Sequence, residues 1–231
     1  LDSDGTFLKS RQIDEVKKNI KAKKFNFVNV DKPAKVNGDK TWLDKHIDLV
    51  LKQKNINVRK IRSRKFKVVV DAVNASGSVI VPKLLNKLGC KVTELYCTGS
   101  GKFPHTPEPL PHNLRLLSKA VVKHKADIGL AIDPDGDRLV LICEDGKPYI
   151  EENTIVTVVR NVLKTSGKKE NKVCVNMSTT RAVEDVAKEH GATVKRTPVG
   201  EINVVNEMKK VKAIVGGEGS GGIIVPKVHY G

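Results

Sequence analysis

The segment "FKVVVDAV", residues 66 to 73, is a strand pattern, rich in β-branched residues, whose centre is continuously apolar over Val68, Val69 and Val70, and it constrains the fold more than any other feature of the chain. A strand with one face in water alternates apolar and polar residues. A continuous run is covered on both faces, as in a parallel sheet between two layers of helices. The residues after it fit that arrangement: a small polar turn "NASGS", a helical pattern "SVIVPKLLNKLG" closed by Gly89, a strand "CKVTELYC", a helix "NLRLLSKAVVKHKA" and a strand "DIGLAI". In "LVLICEDGKPYI" the pair Asp145-Gly146 stands between apolar arms, a hairpin signal that closes this unit with an antiparallel excursion.

The pattern then restarts as helix "TIVTVVRNVLKTSG", strand "KVCVNM", helix "TRAVEDVAKEHG", strand "TVKRTPV", helix "EINVVNEMKKV" and strand "KAIVGG". Two stretches, "VVVDAVNASGSVIVPKLLNKLGCKV" and "VCVNMSTTRAVEDVAKEHGATV", repeat one order of strand, polar turn, helix, glycine and strand. The expected fold is therefore α/β: two similar three-layer α/β domains with mixed sheets, over residues 39–150 and 151–231. Residues 1–38 are polar and weakly periodic, with a helix expected at "SRQIDEVKKNIKAK", and read as an extension and not a domain. "GDKTWLDKHIDLVLKQ" predicts a helix N-capped by Asp39, because Trp42, Leu43, Ile47, Val50 and Leu51 recur at helical spacing.

Composition excludes several classes. The 231 residues are 39% hydrophobic without a run of membrane-spanning length, and "LDSDGTFLKS" lacks the basic start and apolar stretch of a signal peptide, so a cytoplasmic protein is expected. Cys90, Cys97, Cys143 and Cys174 form no CxxC pair and are too few for a disulfide scaffold, so they read as reduced thiols. Lys+Arg of 42 against Asp+Glu of 26 gives a net charge of +16. The excess is mostly lysine, spread along the chain, and aromatics are only 4%, which points to a solvated lysine surface, comfortable for an anionic small substrate, and away from nucleic acid.

Ligands of open α/β sheets lie beyond the carboxyl ends of the strands, which singles out "NASGS", "DPDGDR", "STTR", "VGE" and "GEGSGG". In "DPDGDR", Asp133, Asp135 and Asp137 stand at i, i+2 and i+4 directly after a strand. Alternate residues of an extended segment face one side about 7 Å apart, and a modest curl converges them. Three converging carboxylates repel unless a cation sits among them, and all-oxygen ligation suits a hard ion, Mg2+ before Ca2+ or Mn2+. A solvated Asp/Pro/Gly turn is the plain alternative. An EF-hand fails because its sixth position is Arg138, where glycine is required. The "DSDGT" of residues 2–6 lacks the apolar strand that a phosphatase nucleophile motif needs, and reads as an Asp-Gly turn. In "VGGEGSGGIIV" the glycines clear space around Glu218 and Ser220, one carboxylate and one hydroxyl suited to the vicinal hydroxyls of a sugar. A glycine-rich turn between two strands is the alternative there.

Taken in order, "VVVDAVNASG", "FPHTPEPLPHNL", "DIGLAIDPDGDRL", "TRAVEDVA", "RTPVGEINVV" and "GGEGSGG" resemble the α-D-phosphohexomutase superfamily, the phosphoglucomutase/phosphomannomutase enzymes, from about residue 38 to the end. The resemblance implies the second and third domains of a four-domain enzyme, with residues 1–38 similar to the tail of the first. It implies Asp133, Asp135 and Asp137 as Mg2+ ligands, Arg138 as the arginine beside them, and Glu218 and Ser220 as the pair holding two sugar hydroxyls. Ser178, Arg181, Gly200 and Glu201 fall in loops expected to line the same cleft. The implied reaction moves a phosphoryl group between the 1- and 6-positions of a hexose phosphate through a hexose bisphosphate. Gly222 stands where many members carry histidine, and the family's phosphoserine loop of "TASHNP" type is not found. Pro111-His112-Asn113 has no serine before it, and Ser76 follows the wrong strand and reads as structural. The expectation is a central fragment of a longer enzyme.

Overall fold

A computed structural model describes residues 2–3, 5–27, 31, 35, 37–39, 41–167 and 170–230. Part of the 1–38 extension, together with Lys40, lies outside the described residues. In chain order the elements are α1 (Ser10–Lys21), α2 (Thr41–Leu51), α3 (Val58–Arg64), β1 (Lys67–Asp71), α4 (Gly77–Lys87), β2 (Lys91–Leu95), α5 (Arg115–Lys123), β3 (Ile128–Ile132), β4 (Leu139–Cys143), β5 (Pro148–Tyr149), α6 (Glu151–Ser166), β6 (Lys172–Asn176), α7 (Ala182–Glu189), β7 (Thr193–Thr197), α8 (Glu201–Val211), β8 (Val215–Gly217) and β9 (Ile223–Ile224).

These strands form two mixed sheets, ordered β2-β1-β3-β4-β5 and β7-β6-β8-β9. In the first, β2, β1 and β3 are parallel while β4 and β5 form an antiparallel continuation. In the second, β7, β6 and β8 are parallel and β9 returns antiparallel. The first four strands of one sheet thus match the four of the other in order and direction, the similar plan expected from the repeated pattern.

The apolar run at β1 is covered on both faces. Val69 packs with Leu117 and Val121 of α5, while Val68 and Val70 pack with Leu85 of α4. β6 repeats this: Val173 and Val175 face α6 and α7, whereas Cys174 faces Val204, Val205 and Met208 of α8. Each sheet therefore sits between helices, giving three layers per unit. Helix α6 packs on β4 and β5 of the first sheet and on α7 and β8 of the second, so it serves both units.

Departures from the expected elements are local. α3 is an addition: its run of basic residues buries no side chain, and it is held by Asn57, whose side chain accepts the Lys60 N–H at 2.9 Å. α6 starts at Glu151, three residues before the expected Thr154. Asp39 does serve the entry of α2, accepting the N–H of Thr41 at 2.8 Å and its hydroxyl at 2.6 Å. In the "DSDGT" segment the Gly5 N–H donates to the Asp2 carbonyl at 3.0 Å, a turn as expected, with Asp4 outside the described residues. The four cysteines are unpaired. Cys174 is buried and the other three half-buried, and burial pushes the Cys97 and Cys174 thiols up to about 11. Among the described residues no helix is long and apolar enough to cross a membrane.

Candidate active site

"DPDGDR" is the turn joining β3 to β4, with Ile132 and Leu139 paired at its base. Gly136, at φ +81°, reverses the chain there, and the Ser76 N–H donates to the Pro134 carbonyl at 3.2 Å, tying the turn to the loop after β1. Ser76 is thus part of the turn's support, in keeping with its structural reading. The carboxylates of Asp133, Asp135 and Asp137 each offer an oxygen, and these oxygens lie within 4.8 Å of one another. Among the described residues no other group of three His, Cys, Asp or Glu side chains meets that spacing.

The three are not equivalent. Asp133 is fully buried and oriented on every side: Oδ1 accepts the N–H groups of Gly136 and Arg138, both at 3.1 Å, and Oδ2 accepts Arg138 Nε at 2.9 Å. Burial alone would raise its pKa, but the Arg138 peptide N–H, Asp137 and the guanidinium outweigh this and hold it below the ordinary range. Asp135 and Asp137 are exposed. Asp137, although its side chain is 54% exposed, is pushed up to about 6 by partial burial of its carboxyl in the turn and by Asp133 and Asp135 beside it. A turn that drives its own carboxylate toward protonation fits a bound cation, which would relieve the repulsion, and the all-oxygen set fits a hard ion.

Arg138 is steered from outside the turn. Its Nη1 and Nη2 donate to the two Glu108 carboxylate oxygens at 2.5 and 3.4 Å. Glu108 belongs to "FPHTPEPLP", and this loop is itself anchored by His105, whose Nε2 lies 2.9 Å from the buried Asp71 carboxylate. Reading the sequence did not single out Glu108 or His105 individually. Glu108 lies 30 residues from its partner, with no local pattern to connect them.

The second loop, residues 218 to 222, joins β8 to the short β9, so the glycine-rich turn between strands and the candidate sugar site are one structure. The Glu218 N–H donates to the Gly222 carbonyl at 2.8 Å, and Glu218 Oε1 accepts the Gly200 N–H at 3.2 Å. Several glycines serve packing more than ligand approach. A Cβ at Gly216 would meet Met208 Sδ at 2.5 Å, and one at Gly221, where φ is +100°, would meet the Leu139 carbonyl at 2.8 Å. Gly222 is different: the nearest neighbour of a Cβ there would be the Asp137 carbonyl at 3.6 Å, so it looks toward the aspartate turn.

The two loops touch, with the Leu139 N–H donating to the Gly221 carbonyl at 3.3 Å. Between the units lies a cleft of about 850 Å³, lined by Asp135, Asp137 and Arg138 on one side and by Glu201, Glu218 and Ser220 on the other. Glu201 has a pKa raised by burial, by Glu218 and by Asp135, so carboxylates from three loops share one space. His46 of α2 and His229 also line it, their rings 5.6 Å apart, and burial together with His229 lowers the His46 pKa. Neither histidine was singled out in the sequence.

Ser178, Arg181 and Gly200 are not among the cleft-lining residues. Ser178 turns its N–H and hydroxyl onto Asn176 Oδ1, at 3.1 and 3.0 Å. Arg181 is exposed just before α7, and Gly200 contributes its N–H to Glu218. Of the residues singled out in the sequence, the cleft therefore brings together Glu201, Glu218, Ser220, Asp135, Asp137 and Arg138, with the buried Asp133 in the same turn.

The fold and this pair of facing loops define a two-unit α/β protein with its candidate site between the units. Two family models match it: phosphoglucomutase/phosphomannomutase alpha/beta/alpha domain II over residues 44–146, and domain III over residues 151–231. The chain belongs to the phosphoglucomutase/phosphomannomutase family, the α-D-phosphohexomutases, and comprises its central domains. It is 32% identical over 229 residues to the probable phosphoglucosamine mutase of Methanopyrus kandleri, covering 99% of this chain and 49% of that protein. With the phosphoglucomutase/phosphomannomutase of Thermococcus kodakarensis the identity is 36% over 177 residues, covering 76% of this chain and 38% of that protein. The fold matches a phosphoglucomutase/phosphomannomutase family protein from Burkholderia thailandensis with a TM-score of 0.78 at 23% identity, over 97% of this chain and 46% of that one. The chain thus spans about half the length of the curated relatives it matches.

Proposed function

We propose that the protein carrying this chain is a phosphohexomutase, moving a phosphoryl group between C1 and C6 of a hexose phosphate by way of a phosphoserine and a hexose bisphosphate. The observation that carries this reading is the meeting of two chemically distinct loops across one cleft, a tri-aspartate turn and a Glu-Gly-Ser loop, in a chain of this family.

Asp133, Asp135 and Asp137 would hold the metal, with Mg2+ the ion best matched to carboxylate oxygens. A divalent ion there supplies charge neutralisation to a phosphoryl group in transfer. Asp133 keeps the turn in shape through the Gly136 and Arg138 N–H groups, and Arg138, braced by Glu108, presents a fixed positive charge beside it. Across the cleft, Glu218 and Ser220 offer an acceptor and a donor to adjacent sugar hydroxyls, and Glu201, with its raised pKa, is placed to take or return a hydroxyl proton. Ser178, Arg181 and Gly200 contribute by building the loops around these groups. Glucosamine phosphate is the favoured hexose, because several relatives at 32–34% identity bear the name phosphoglucosamine mutase.

The test is turnover by the full-length protein with Mg2+ on the 1-phosphates of glucosamine, glucose and mannose. Interconversion of at least one with its 6-phosphate is expected, and Asp135→Asn should lower kcat/KM about a hundredfold or more. The 231 residues alone, which hold no serine-histidine-asparagine loop, should bind but not turn over. Binding without turnover by the full-length protein would instead mark a Mg2+- and sugar-phosphate-binding module.

A further inference from the structure

Arg196, on β7, faces none of the cleft, yet its guanidinium is the most heavily engaged side chain near it. Nε and Nη2 hold the Glu184 carboxylate at 2.7 and 2.9 Å. Nη1 donates to the carbonyls of Asn176 and Thr179 at 3.1 and 2.8 Å, and Nη2 reaches the Thr180 carbonyl at 3.4 Å. A planar fork with five donors can gather several carbonyls of one turn in this way, whereas a lysine cannot. The turn after β6 is therefore moulded around Arg196, and Glu184 on α7 holds the fork in register.

That turn is hydrogen-bonded to the candidate sugar loop. Thr179 is buried, its hydroxyl donates to Asn176 Oδ1 at 2.7 Å, and its oxygen accepts the Gly219 N–H at 3.0 Å. Gly219 lies between Glu218 and Ser220, and a Cβ on it would lie 3.4 Å from Thr179 Cα, so the peptide between the two candidate sugar ligands rests against Thr179 as well as being hydrogen-bonded to it.

We propose that Arg196 and Thr179 are positioning residues that set the sugar loop: Arg196 shapes the 176–180 turn, and the Thr179 hydroxyl pins Gly219 so that Glu218 and Ser220 reach the substrate together. The positioning is a property of the fold, while its consequence for a sugar rests on the phosphohexomutase reading.

The experiment compares Thr179→Val, Thr179→Ser, Arg196→Met and Arg196→Lys in the full-length protein, reading amide hydrogen exchange at residues 218–222 together with KM and kcat. Thr179→Val and Arg196→Met should speed exchange at Gly219 about tenfold, the loss of one hydrogen bond. They should also raise KM for the hexose phosphate by about as much, with a smaller change in kcat. Thr179→Ser, which keeps the hydroxyl, should restore both, and Arg196→Lys should not. Unchanged exchange in both the valine and methionine variants overturns the pinning. Faster exchange with KM unchanged in an active enzyme overturns the role in substrate positioning. If the parent protein is inert on hexose phosphates while exchange responds as stated, the functional reading fails and the pinning stands. Should Arg196→Met not fold, the two threonine variants decide.

Discussion

Gly221 occupies the point where the aspartate turn of one unit meets the candidate sugar loop of the other. Its carbonyl takes the Leu139 N–H at 3.3 Å, its φ is +100°, and a Cβ would press on the Leu139 carbonyl at 2.8 Å. An alanine there is strained by its backbone angle and again by the clash, so Gly221→Ala should lower the unfolding free energy by roughly 2–4 kcal/mol. Gly191 shares a positive φ but has nothing within 4 Å of a Cβ, and its alanine variant should cost only about 1–2 kcal/mol. Urea denaturation of both variants checks this, and equal losses would show that the contact between the loops is slack. At this scale the sequence was readable where chemistry is local. The three aspartates stand within five residues, and their type and spacing suffice to mark a candidate cation site. Glu108 and Arg196 were not readable as site-builders, because their partners come from other elements and meet only after folding.

Among the elements, the second unit carries the clearest pH dependence. Arg196 holds Glu184 below its ordinary value of 4.5, the side-chain hydrogen bond being the largest cause. A carboxyl with a depressed folded pKa contributes stability that is present above 4.5 and is lost as pH falls through the folded value. Both side chains are partly exposed, 36% for Glu184 and 22% for Arg196, so solvent screening keeps the contribution to about 1 kcal/mol or less. The stability gap between the parent and Glu184→Gln should therefore be constant near neutrality and close as pH drops from about 5 toward 3. A gap that widens with acid would refute the assignment. The paired elements were legible to different degrees for physical reasons. β1 and β6 announce themselves by buried runs, and α4, α5, α7 and α8 by apolar spacing ending in glycine or a turn. α3 buries nothing and so leaves no periodic trace, and β9 is two residues long, made a strand only by pairing with β8.

Across the whole molecule, charge is distributed against the local need. The chain carries a net +16, which would attract an anionic substrate from a distance, but the cleft is lined by Asp135, Asp137, Glu201 and Glu218, with Arg138 the one arginine or lysine among the described lining residues. Asp137, pushed up to about 6, and the raised Glu201 owe their shifts first to burial and then to the neighbouring carboxylates. For the proposed sugar phosphate, steering would bring a phosphate dianion to the entrance, and repulsion at short range would then oppose its entry. The net charge was legible in the sequence, but this inversion was not, since it depends on three loops from two units converging. It yields a prediction about order: the metal must be in place before the sugar phosphate binds well. Calorimetric titration of the full-length protein with a hexose 1-phosphate should show strong binding with Mg2+ present and at least a tenfold weaker affinity after chelation, with Asp135→Asn behaving as the chelated protein even when Mg2+ is supplied. Raising the salt concentration should weaken binding in the Mg2+-loaded protein but relieve part of the deficit in the chelated one, because screening acts on long-range attraction in the first case and on carboxylate repulsion in the second. Affinity that is indifferent to chelation would mean that the phosphate group does not approach the aspartate turn.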